Sequence, residues 1–147
     1  MTRTARTATA SPIGLPGLLR SLRDVGGAAW LGGSLMGATG LNAAADAAGP
    51  GERDVVVQAG WARWTPIFRV AALSHLAGAV GLLATERSAA AAGRLGLSTA
   101  AAGAVAAAVV VGGREDSDDN QKVVHALEYA VPGLLAAAVL STALSRR

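Results

Sequence analysis

Charged residues fall in clusters along the chain, and four uncharged stretches separate the clusters. Val25 to Ala45 covers 21 residues, Val70 to Thr85 covers 16, Leu95 to Gly113 covers 19 and Tyr129 to Ser145 covers 17. A hydrocarbon core of about 30 Å takes around 20 helical residues to cross. The second stretch reaches that length once Pro66, Ile67, Phe68 and a snorkelling Arg69 are added, and the fourth when it is counted from Val123. The pattern predicts an all-α protein, a four-helix transmembrane bundle with spans at about 25–45, 66–85, 95–113 and 123–145. Residues 25–145 then form one membrane domain. Residues 1–24 form a disordered or interfacial cytoplasmic N-terminus, with a short surface helix over Gly17–Arg23 that turns Leu18, Leu19 and Leu22 inward.

Composition opposes this reading and then supports it. The chain of 147 residues is 52% hydrophobic and 16% charged, but the apolar residues are mostly Ala with scattered Leu and Val, beside 19 Gly. Mean hydropathy is +0.40. Alanine adds little to insertion, so a soluble Ala-rich bundle is the alternative. Such a bundle needs a polar face on every helix at the 3.6-residue period. The third stretch, LGLSTAAAGAVAAAVVVGG, has no charge on any face, which favours lipid. With no Cys there is no disulfide, thiolate nucleophile or Cys-type metal site.

Charge sorts by loop. The N-terminal stretch, the loop after span two and the tail carry Arg3, Arg6, Arg20, Arg23, Arg87, Arg94, Arg146 and Arg147 against Asp24 and Glu86. The other two loops and the span ends beside them hold five basic residues against eight acidic ones. The positive-inside rule then places a multi-pass protein in the cell membrane with both termini cytoplasmic, which an even number of spans requires. The net charge of +3 reflects arginine beside anionic headgroups. With no Lys/Arg stripe interleaved with aromatics, no nucleic-acid partner is expected.

Small residues recur at helical spacing. Gly33, Gly37 and Gly40 line span one with Ala29 and Ala44, while Gly78 and Gly81 line span two with Ala71 and Ser74. Such stripes let helices approach closely in lipid, within one chain or between copies. Between these spans, Val57, Trp61, Trp64 and Phe68 share one helical face. They predict a short amphipathic outer-surface segment, with Trp61 and Trp64 as interface anchors and Trp30 doing the same at the inner surface.

Ionisable groups within spans mark function by default. Asn42, Asp46, Arg69, His75, His125 and Glu128 are the candidates, read as one polar cluster between spans one, two and four, with Arg69 paired to Glu128 or Asp46. His75 lies deepest. The acidic loop containing DSDDN lacks the Gly and Glu that a calcium loop needs, so no metal site is assigned.

A chain of this size invites comparison with the small multidrug-resistance transporters, but the glutamate those proteins use in their first span has no counterpart between Val25 and Ala45. WLGGSLMGATGLN (Trp30 to Asn42), GWARWTP (Gly60 to Pro66) and HLAGAVGLL (His75 to Leu83) resemble small uncharacterised four-span membrane proteins of actinobacteria. That resemblance covers about the first two spans and implies no activity, cofactor or site residue. Three functions remain. The first is an accessory or scaffold subunit whose partners are the lipid bilayer and other membrane proteins or a second copy. The second is a membrane-embedded oxidoreductase or haem- or quinone-binding protein using His75. The third is a small proton-coupled transporter. The cofactor is unknown, and the balance leans away from an enzyme.

Overall fold

The computed structural model describes residues 14–49, 51–113 and 117–144. Its elements are α1 (Leu15–Met36), a π-helical turn (Gly37–Leu41), α2 (Asn42–Ala47), α3 (Arg53–Glu86), α4 (Ala89–Gly112) and α5 (Asp118–Leu144). Backbone angles stay right-handed through Gly37 and Asn42, so α1, the π turn and α2 form one rod. The molecule is thus an all-α four-helix bundle. Each helix packs on two neighbours: α1 on α3 and α5, and α4 on α3 and α5.

Local chemistry sets the helix ends. Gly14 precedes α1, with a proline in the first turn, where a missing N–H costs nothing. Arg87 ends α3 in the left-handed region (φ 47°), and its N–H bonds back to Leu83 O. Ser88 then caps α4 by accepting from Ala91 N at 3.1 Å. The turn between α3 and α4 is therefore tight, and the two helices return side by side.

Several expected boundaries move. Residues 15–24 are not a separate surface helix but the opening of α1, and Arg23 there is buried. Residues 1–13, and with them most of the expected disordered N-terminus, lie outside the described residues, as do residues 114–116 of the acidic loop and the tail from 145. The Trp-bearing stretch before span two is also not a separate amphipathic segment. It runs unbroken into span two as the first half of α3, which has 34 residues and contains Pro66. At about 1.5 Å per residue α3 is about 50 Å long, well beyond a hydrocarbon core. Pro66 leaves Ala62 O without its helical donor, and one residue earlier the Thr65 hydroxyl donates to Trp61 O at 2.7 Å.

Three helices, α3, α4 and α5, are long and apolar enough to cross a membrane. The first rod is not among them. Arg20, Arg23 and Asp24 stand within α1, and the π turn divides the uncharged stretch that follows them. The core holds residues from all four helices, with Trp30, Ala71, Ala101, Val131 and Leu135 at its centre.

Candidate functional site

The glycines of the first rod explain the site's construction. Contacts between the first rod and α3 run antiparallel: Leu19 meets Gly81, Arg23 meets Gly78, His75 meets Gly27, Trp64 meets Gly33, Trp61 meets Gly37 and Leu41 meets Gly60. A Cβ on Gly26 would come within 2.6 Å of Ala71 O, and one on Gly78 within 2.5 Å of Leu19 O and Arg23 N. These two glycines meet backbone directly. The others receive large side chains, and a Cβ on Gly33 would overlap the Trp64 ring.

This arrangement corrects the interface-anchor assignment of Trp30. Trp30 is 1% exposed at the bundle centre, in edge-on contact with Phe68 and His75 at 5.9 Å each. Trp61 and Trp64 are half-buried against α1. Trp30 Nε1 and Trp64 Nε1 are buried and find no acceptor among the described residues, so these indoles are held by ring packing. Gly40 is also misassigned as a packing residue: it is exposed, and a Cβ there would meet only Met36 of its own rod. The π turn is the cause. One extra residue in the turn advances the buried face from the expected Gly40 and Ala44 to Leu41 and Ala45.

The six polar candidates separate into two loci. At one end, Asn42 Nδ2 donates to Glu128 Oε2 at 2.8 Å, joining α2 to α5. His125 lies 3.9 Å from the same oxygen and stacks edge-on with Tyr129 at 5.0 Å. Asp46 pairs with Arg53 at 2.9 Å, a partner the sequence did not point to. Arg69 makes neither expected ion pair. It lines a cavity of about 700 Å³ between the four helices, together with Glu128, Trp61, Phe68, Ser34 and Val131.

His75 belongs to the other end. Its ring is buried, with Nδ1 2.7 Å from Arg23 O and Nε2 2.7 Å from Ser98 Oγ, which lies 3.0 Å from Arg94 O. The imidazole thereby ties α1, α3 and α4 together, and Gly27 supplies the space for it. Around it stand Arg23, bonded to Asp24 at 2.8 Å, and Arg94, 3.6 Å from Glu86, which also takes Arg20 at 3.1 Å. This second locus encloses a cavity of about 260 Å³.

Sequence reading missed Arg23, Arg94 and Ser98. Both arginines looked like loop charges because each sits just outside an uncharged stretch. The available signal was spacing: Arg94 and Ser98 are one helical turn apart and share a face.

His75 and His125 are not brought together. His75 shares its cavity with Ala138 and Thr142 of α5, whereas His125 lies more than three turns earlier, about 20 Å along that helix. Among the described residues no three of His, Cys, Asp and Glu gather as a metal site would require. The chain matches no family model, no curated protein and no solved structure.

Proposed function

We propose that this chain is an integral membrane protein that crosses the bilayer four times with both ends cytoplasmic, and that it works by association, as an accessory or scaffold subunit. Support for the fourth crossing is the length over which the first rod lies along α3. Placement of the ends follows from the arginine-rich loops.

The observation that carries the association is the outward face of α4. Only 11% of its most apolar window is buried. Gly93, Gly96 and Gly103 have nothing within 4 Å of a Cβ position, and Ala100 and Val110 continue that exposed face. In lipid, such a face admits another helix at close range through dispersion contacts. Among the glycines of α1 and α3, Gly26, Gly27, Gly33, Gly60, Gly78 and Gly81 are by contrast filled inside the bundle, and Gly32 stays open.

Extraction in mild detergent followed by native mass spectrometry tests this reading. The wild type should be a homo- or hetero-oligomer, and the double variant Gly96→Leu/Gly103→Leu a folded monomer. A monomeric wild type, or an oligomer indifferent to both leucines, overturns it.

One observation favours a second reading, a small carrier. The cavity of about 700 Å³ has the size of a ligand site, and Glu128 stands in its wall. Carriage would then centre on Glu128 and not on His75, whose two nitrogens are engaged within the bundle. Proteoliposome flux abolished by Glu128→Gln supports this reading, and flux unaffected by it removes it.

A further inference from the structure

We infer that the larger cavity, of about 700 Å³ between the four helices, binds an amphipathic carboxylate: an elongated apolar tail with an acidic head that Arg69 recognises. The inference rests on the carrier reading above and names the ligand class of that same cavity. It does not depend on association through α4.

Shape and lining point to the tail. On α3 the wall runs from Val57 to Arg69, about 18 Å along the helix. Val105 and Val109 of α4 and Val124 and Leu127 of α5 complete it, with Trp61 and Phe68 of α3. The volume is that of a drug-sized ligand. A long wall of valine, leucine and aromatic residues suits a run of methylenes better than a compact polar solute.

Two polar side chains of the lining supply the chemistry of the head. Among the described residues neither Ser34 on α1 nor Arg69 on α3 makes a side-chain hydrogen bond or an ion pair. Arg69 is exposed, and with no bond to hold it the guanidinium can turn on its flexible stem to meet a ligand in the cavity. The other polar groups of the wall are engaged. Glu128 accepts from Asn42 at 2.8 Å and has His125 at 3.9 Å, and the Thr65 hydroxyl donates to Trp61 O at 2.7 Å. A cation within a membrane helix is costly until an anion meets it. A guanidinium grips a carboxylate through two parallel N–H donors, and Ser34 adds a further donor in the wall. An amine head would have to compete for Glu128, which already has partners, whereas an acid finds Arg69 without one.

The test uses the full chain in phosphatidylcholine nanodiscs and is read through Trp61, which lines the cavity while Trp30 and Trp64 do not. Dodecanoate, dodecanol and dodecylamine, each brominated at the chain end, are titrated separately, and quenching of tryptophan emission is followed. The site predicts saturable quenching by dodecanoate at concentrations at least tenfold below those the alcohol or the amine requires, and Trp61→Phe should remove that component. Arg69→Gln should erase the advantage of the acid and leave quenching by the alcohol unchanged, a signature that a general loss of structure would not give. Should that variant fail to fold, Ala108→Leu fills the cavity from α4 with Arg69 intact, and it should abolish the saturable quenching. Dodecanoate that quenches no better than dodecanol overturns the inference. So does an advantage that survives Arg69→Gln, saturable quenching that survives Ala108→Leu, or tighter binding of the amine, which would assign recognition to Glu128. Binding is read without transport, so a protein that binds dodecanoate and carries nothing leaves this inference standing while the carrier reading falls.

Discussion

The pair formed by α1 and α3 and the pair formed by α4 and α5 sit in the same bundle but use glycine in opposite ways. In the first pair, Gly26 and Gly78 bring two backbones together, and Gly27, Gly33 and Gly37 receive His75, Trp64 and Trp61. In the second pair, Gly93, Gly96, Gly103 and Gly133 face open space. Buried contact there comes from Ala101, Val131, Leu135 and Ala138. The difference teaches that a small residue becomes a packing device only where the facing helix offers something to fill its space. Without such a partner it leaves a smooth surface available to lipid or to another protein.

The sharpest way to break this comparison is to place the same side chain in both halves. Leucine at Gly78 must displace Leu19 O and Arg23 N, each 2.5 Å from the new Cβ, so α1 and α3 have to separate. Gly78→Leu should cost about 3 kcal/mol or more. Gly103→Leu meets nothing within the chain and removes a poor helix former, so it should not lower the stability of the bundle itself, whatever it does to association. Thermal unfolding in detergent, followed by circular dichroism, checks both. Equal losses would mean that the two pairs are held in the same way.

A double-mutant cycle sharpens the point within the first pair. Gly33→Ala drives a methyl into the Trp64 ring and should cost about 1–3 kcal/mol. Trp64→Leu empties the same groove and should cost a similar amount. Combined, the smaller side chain makes room for the methyl, so the double variant should recover about 0.5–3 kcal/mol relative to the sum. Strict additivity would show that Trp64 does not depend on Gly33.

How much of this was legible in the chain follows from the same contrast. The four helices were readable from the gaps between charges, because that signal depends only on each segment's own composition. The stripe on Gly33, Gly37, Gly78 and Gly81 was readable as packing. Its partners were not, since periodicity names a face and says nothing of what faces it. Trp30 was placed at an interface by residue type, which says nothing of burial at the bundle centre, and the glycine grooves that take the Trp61 and Trp64 rings were not readable either. Gly40 failed for a different reason: a π turn shifts register by one residue, and GATGL carries no mark of it. Of the polar candidates, the pairing of Asn42 with Glu128 needed the tertiary fold. Arg23 was hidden because a buried arginine beside a loop reads as an ordinary loop charge.

The smallest expected effect tests whether the connection between the first rod and α3, instead of their glycine contacts, holds that pair together. Asp46 and Arg53 bridge the connection at 2.9 Å, with side chains 64% and 50% exposed. An ion pair this open gains little over solvation and loses side-chain freedom, so Asp46→Asn should cost about 0.2–1 kcal/mol. The loss should fade further in high salt, where exposed charges are screened. Unfolding midpoints at low and high ionic strength measure both. A loss comparable to that of Gly78→Leu would place the main restraint in the turn, and the contrast between the halves would then reflect how they are joined and not how they pack.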